Sequence, residues 1–263
     1  MSARGRRERE VPGFELAGAV SSFGWKAMRK LPRARHFANE VLRQMAMLAT
    51  GSALVIIIAC FLVGQSCGLE ASYLSRALST PAVGGAATFG CAVLYIVPFL
   101  FGFVLAAKIG CGFVAEIGAM RVNDEVDALE VMGVDSMVFI VGVRLLAGAL
   151  MLPIIYMLAI AAADLGGFLQ AAVRFNDISH GTYETYRFAF FGPSDIVLSL
   201  AQGLVISTVV MCVSLYYGYS VRGGPVEVGV ATAKSMEVNL VLVTWVNLVF
   251  VVMFLLKPRI PIA

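Results

Sequence analysis

Five apolar runs dominate this chain, and each is long enough to cross a bilayer as a helix. They lie at about 47–66, 86–107, 137–163, 196–219 and 238–256. About 30 Å of hydrocarbon takes about 20 apolar residues of helix. Inside it every backbone N–H and C=O must be paired within its own segment or a closed barrel. Five continuous runs of that length therefore predict an all-α integral membrane protein with five transmembrane helices. Composition agrees: 59% of residues are hydrophobic and 14% charged, whereas a soluble domain carries about 25% charge. The same figures exclude a disordered or collagen-like chain.

The scarce charges set the expected orientation. Ten of the 20 basic residues fall within the first 46 positions, from Arg4 to Arg43. With those and Lys108, Arg121, Arg144, Arg222 and Lys234 on one side, the count is 15 against five (Arg76, Arg174, Arg187, Lys257 and Arg259). Basic residues concentrate in cytoplasmic segments, so the N-terminus is expected inside and the C-terminus outside. The first apolar run starts too late and is too long for the core of a secretory signal.

Within the basic segment, Lys26, Arg29, Lys30 and Arg33 recur at helical spacing, with Phe14, Val20, Phe23, Trp25 and Met28 on the remaining surface. That pattern predicts a helix lying in the membrane interface, basic side toward anionic headgroups. Pro32 is expected to separate it from a second helix leading into the first span. The domain plan is thus a basic tail with interfacial helices (1–46), a five-span membrane body (47–256) and a short external tail (257–263).

Cys60, Cys67, Cys91, Cys111 and Cys212 are scattered, without a CxxC pair, and read as small buried hydrophobes rather than a disulfide framework. His36 and His180 are the only histidines, so a metal site is not expected. Pro98 and Pro153 should each kink a span; a kink can shape a cavity or serve packing alone. Gly64 and Gly68 offer a close helix contact. The aromatic outer segment 165–195 fits either an interface belt or a partner surface. The chain shows no internal repeat, which argues against the inverted-repeat transporters.

The informative stretch lies between the second and third spans. It holds six of the 17 acidic residues: Glu116, Asp124, Glu125, Asp127, Glu130 and Asp135. Val122, Val126 and Leu129 share one helical face opposite Asp124, Asp127 and Glu130. Such a helix, expected at about 115–134, could rest on the cytoplasmic leaflet. An anionic leaflet repels acids, however, so an apolar stripe docked into a protein partner fits better.

Two motifs in this region carry a resemblance. Residues 115–122 (AEIGAMRV) with 127–135 (DALEVMGVD), and later 216–219 (YYGY) with 222–225 (RGGP) and 228–232 (VGVAT), resemble the MlaE/YrbE permeases, in particular the actinobacterial YrbE type. These are membrane subunits of ABC transporters that act with MCE-domain proteins on lipids. The resemblance implies a coupling helix that enters a groove on a cytoplasmic ATPase dimer. Met120, Arg121, Asp124, Glu125, Asp127, Ala128, Leu129, Glu130 and Gly133 would make that contact. It further implies a second permease subunit, MCE-domain proteins on the external side and a bacterial inner-membrane location. Glu116 would lie near the core of the permease pair, and Tyr95, Pro98 and Phe99 beside the lipid route. Lys108 stands where arginine is common in that family, and Ser136 and Val143 stand where prolines are usual.

The chain has no GxxxxGK[ST] loop; its Lys234-Ser235 pair follows alanine. ATP and Mg are therefore expected on a partner chain, and no cofactor or nucleic acid on this one. Two rival readings stay open: a scaffold subunit without a lipid pathway, and a membrane enzyme acting on lipids. The enzyme would need titratable groups converging at bilayer depth, and Lys108, Arg144 and Asp164 all lie near span ends.

Overall fold

The computed structural model describes residues 13–174 and 179–256. Among them the regular structure is all helical: α1 (Gly13–Ala34), α2 (Ala38–Leu48), α3 (Leu54–Ala77), α4 (Pro81–Phe89), α5 (Val97–Val104), α6 (Cys111–Val122), α7 (Glu125–Val131), α8 (Val143–Phe168), α9 (His180–Phe190), α10 (Pro193–Tyr219) and α11 (Pro225–Leu256). Several of these run on into one another through widened π-helical turns. The result is five helices long and apolar enough to span a membrane: Gly18–Ala77, Gly84–Val122, Met137–Ala171, Pro193–Tyr219 and Pro225–Phe254. The chain is a multi-pass membrane protein. The basic tail, Phe14's side chain and the expected external tail lie outside the described residues.

Three local expectations need correction. Pro32 does not break α1, which continues to Ala34; the break is the short 3-10 turn Arg35–Phe37. Proline removes one N–H, so the Met28 carbonyl loses its usual donor, and α1 tolerates that single loss in its last turn. The coupling element is not one helix over 115–134. The second span runs on to Val122, the chain turns at Asn123 and Asp124, and α7 is a separate seven-residue helix. Asp124 takes the left-handed conformation (φ 58°), which stops a helix and which Asp tolerates better than most residues. Finally, Cys67 and Cys91 form a disulfide between the first and second spans, leaving Cys60, Cys111 and Cys212 free. Neither cysteine is a mere apolar filler, because the two spans bring them to the same depth.

Close glycine contacts set the packing of the first and third spans. A Cβ on Gly64 would strike the Ala163 carbonyl, and one on Gly68 the Gly167 carbonyl. In return, Gly166 abuts the Phe61 carbonyl. In lipid there is little hydrophobic drive between helices, so close backbone approach supplies the dispersion contact that holds them. Phe101 and Tyr156 meet edge to face at 4.9 Å in the core. The Tyr156 hydroxyl is 2.8 Å from Ser199 Oγ, and Ser199 donates to the Val93 carbonyl at 2.9 Å. Those bonds keep polar atoms at bilayer depth satisfied.

The two prolines act differently. The widened turn Gly90–Ile96 ends just before Pro98. Proline's missing N–H leaves the Leu94 carbonyl without its usual donor, which a π-turn accommodates. Pro98 itself is buried. Pro153 lies within α8 and borders a cavity.

At one end of the bundle, α1, the segment 123–136 and the turn between α10 and α11 meet. At the other end, α9 packs on α4. There Arg187 pairs with Asp164 at 2.9 Å and lies 4.9 Å over the Phe89 ring, against the buried Tyr183.

Candidate functional site: a loop pinned between three helices

The segment between the second and third spans is fixed to the rest of the protein at three points. At its start, Arg121 Nε donates to the Tyr219 carbonyl at 3.1 Å and its Nη1 to Asp127 Oδ1 at 3.2 Å. The same guanidinium stacks 4.6 Å from the Tyr219 ring. One side chain thus joins the end of α6, the start of α7 and the end of α10. Arg suits this because its flat fork can donate in two directions and stack as well.

Near its end, Ser136 Oγ donates to Glu130 Oε1 at 2.6 Å and lies 2.9 Å from the Tyr219 hydroxyl. Tyr219 is therefore held from both sides, by its carbonyl and by its phenol. Its ring also lies 6.0 Å from Phe23 of α1, which packs edge to face on Tyr216 at 5.6 Å.

At the exit, Asp135 Oδ1 accepts from the Met137 and Val138 N–H groups at 3.1 and 3.3 Å. These are donors that a helix start leaves unpaired. Asp135 Oδ2 meets Lys30 Nζ of α1 at 2.6 Å. The bond from Lys30 holds the Asp135 carboxyl below its ordinary range, assisted by the two backbone donors and opposed by partial burial. Gly133, at φ 78°, reverses the chain between α7 and Asp135, a conformation that costs a residue with a Cβ about 1–2 kcal/mol.

The expected residues fall into two groups. Asp124, Glu125, Asp127, Ala128, Glu130 and Gly133 are exposed. Met120, Arg121 and Leu129 are half-buried, with Met120 and Leu129 packed on the core. Val126 is fully buried. The apolar stripe of α7 thus faces this protein's own core rather than outward. What the loop presents outward is Val131 and Met132, 89% and 69% exposed. Val131 falls on the face opposite the stripe, which is the available sequence signal, whereas Met132 follows Leu129 at helical spacing but lies past the last residue of α7. Beside them a groove of about 500 Å³ is lined by Arg33, His36, Phe37, Gly133 and Val134 among others.

Glu116 pairs with Arg144 of the third span at 2.6 Å. Arg144 is buried, donates to the Ile140 carbonyl at 3.1 Å and lies 5.7 Å from the Phe113 ring. Tyr95 and Phe99 are half-buried, and Phe99 stacks on Phe103 at 4.4 Å. None of Tyr95, Pro98 and Phe99 borders the apolar cavities described below, which lie under α1.

The family described as Permease MlaE matches residues 41–253, from α2 to the last turns of α11. The chain belongs to the MlaE permease family. Among individual relatives, a probable ABC transporter permease protein of Rickettsia bellii is 24% identical over 249 residues, 94% of this chain and 95% of that protein. The intermembrane phospholipid transport system permease protein MlaE of Haemophilus influenzae is 25% identical over 227 residues, 86% of this chain and 83% of that protein. The chloroplastic TRIGALACTOSYLDIACYLGLYCEROL 1 of Arabidopsis thaliana is 26% identical over 148 residues, 55% of this chain and 41% of that protein. The MlaE family match covers all three anchors of the pinned loop: Arg121, Ser136 with Tyr219, and Asp135. Lys30, which holds Asp135 from α1, precedes the matched residues.

Proposed function

We propose that this chain is the membrane subunit of an ABC transporter that moves a lipid, with ATP and Mg handled by a separate cytoplasmic ATPase. The observation that carries the reading is the pinned loop: a short helix whose exposed apolar tip, Val131 and Met132, is tied through Arg121, Ser136 and Asp135 to three separate helices. A push on such a tip moves the ends of the second and fourth spans and α1 together, rather than bending a free loop. That is the mechanical requirement for coupling a partner's nucleotide state to two arrangements of the spans. The MlaE family membership and the phospholipid transport relative support lipid as the cargo.

On this reading the loop face is cytoplasmic, in keeping with the basic excess on that side, and the C-terminus is external. The membrane is the bacterial inner membrane. The exposed acids Asp124 and Glu125 lie at the start of α7, one helix length from the apolar tip, and steer a basic rim on the ATPase. A second permease subunit completes the lipid route, and MCE-domain proteins receive or deliver the lipid outside. The scaffold reading shares the docking loop and differs in having no lipid movement to power.

The test is co-purification. Met132→Asp places a charge at the centre of the docking tip and is expected to lose the ATPase while the chain stays in the membrane. Asp124→Asn, at the rim, is expected to keep it. Retention of the ATPase by Met132→Asp contradicts docking through this tip.

A further inference from the structure

Beneath α1 the bundle does not close. A cavity of about 450 Å³ separates α1 from α10 and α11, walled by Val20, Gly24, Val209, Cys212 and Leu242 among others. A smaller one of about 250 Å³ lies between α1, α8 and α10, and Met28 and Thr208 border both. The two form one slot on either side of Met28. Its walls are almost entirely apolar, so water entering it would find too few hydrogen-bond partners to stay.

The charges on α1 are arranged around this slot. Val20, Gly24, Met28 and Leu31 fall on one edge of the helix, while Lys26, Lys30 and Arg33 fall opposite. Arg29 follows Trp25 by one turn, and Trp25 forms the lip of the larger cavity. Trp25, Lys26 and Arg29 are exposed, whereas Lys30 is taken up by Asp135. An apolar slot, a tryptophan at its lip and, beside it, two cations with no ion pair among the described residues match the three parts of a phospholipid at a membrane surface: chain, interface and anionic headgroup.

We propose that the slot holds an acyl chain of a resident phospholipid whose anionic headgroup rests against Arg29 and Lys26. This lipid wedges α1 onto α8, α10 and α11 and so bears on Phe23, Lys30 and the pinned loop. It is a bound component of the fold, and its presence does not depend on whether the chain transports lipid.

The chain has two tryptophans, Trp25 and Trp245, so Trp245→Phe leaves Trp25 as the sole reporter. The full chain is reconstituted in phosphatidylcholine vesicles, and Trp25 quenching is followed as dibrominated phosphatidylglycerol replaces the host lipid. A parallel series uses dibrominated phosphatidylcholine. Half-maximal quenching is expected at a mole fraction lower by about threefold or more for the anionic lipid, since each basic residue near a surface favours it appreciably. Lys26→Gln with Arg29→Gln is expected to remove that difference. Val209→Phe, which fills the slot, is expected to remove it with both charges intact. Equal quenching curves for the two lipids overturn the proposal. So does a preference that survives Val209→Phe, because the headgroup would then be attracted without a chain in the slot. The charge variant lies on the surface and reports even if the filled variant fails to fold. Failure of the transport reading would show as lost ATP-driven lipid movement, which this experiment does not measure.

Discussion

Lys30 Nζ lies 2.6 Å from Asp135 Oδ2 and joins two segments 105 residues apart in sequence. Both partners are part-exposed, so the pair is screened by solvent and contributes about 0.5 kcal/mol. Because the folded protein lowers the Asp135 value from its ordinary 3.8, the stabilisation is fully present above that value. It is lost as the pH falls through the lowered value in the folded state. At neutral pH, Asp135→Asn should roughly double the tryptic cleavage rate in 29–35. In the wild type the same loosening should appear only in strong acid. An unchanged digestion rate in the variant would show that α1 is held by its apolar contacts alone.

The pair formed by Glu116 and Arg144 predicts an asymmetry. Arg144 is buried and Glu116 is half-exposed. Removing the carboxylate strands a buried cation, whereas removing the guanidinium leaves an acid that water can reach. Glu116→Gln should therefore destabilise the protein by about 1–2 kcal/mol after allowing for that exposure, and Arg144→Met by less. Thermal unfolding in detergent, followed by size-exclusion recovery, reads the order of the two variants. The reverse order would mean that Arg144 is held mainly by Ile140 and Phe113.

Gly64 tolerates no side chain. Its Cβ would meet the Ala163 backbone, and backbone cannot swing aside as a side chain can. Gly64→Leu should cost about 3 kcal/mol or more and lower the folded yield. Gly181→Ala, with open space around it, should leave stability unchanged. Comparable yields for the two variants would argue against tight packing of the first and third spans.

The disulfide predicts a labelling pattern. Unreduced, denatured protein should take up maleimide at three cysteines, Cys60, Cys111 and Cys212. Reduction should release Cys67 and Cys91 for two more. Intact mass spectrometry counts the adducts, and five without reduction would show both cysteines to be free thiols.

The features legible in the sequence were those written in one local stretch. Five spans follow from run length, and an acidic amphipathic helix from the spacing of Val122, Val126 and Leu129. What the spacing cannot say is which side of α7 is inward: Val126 is buried within this protein, so the stripe closes the fold and Val131 and Met132 face out. Ser136 stood out in the sequence only as a residue in place of a usual proline. Its role, joining Glu130 to Tyr219, spans 83 residues and exists only once the second, third and fourth spans are packed. Cys67 and Cys91 share that dependence. Each reads as a small apolar residue within its own run, and their pairing is decided by the relative depth of two helices. Val131 is legible in principle, as an apolar residue on the face of α7 opposite its stripe.

The most direct measurement is ATP-driven lipid movement by the reconstituted transporter. The permease is assembled with its ATPase in vesicles holding a fluorescent phospholipid in one leaflet, and transfer is followed with ATP and with a non-hydrolysable analogue. Movement is expected with ATP and not with the analogue, abolished by Met132→Asp and retained by Asp124→Asn. Lipid movement that is indifferent to ATP, or that survives Met132→Asp at the wild-type rate, would contradict it.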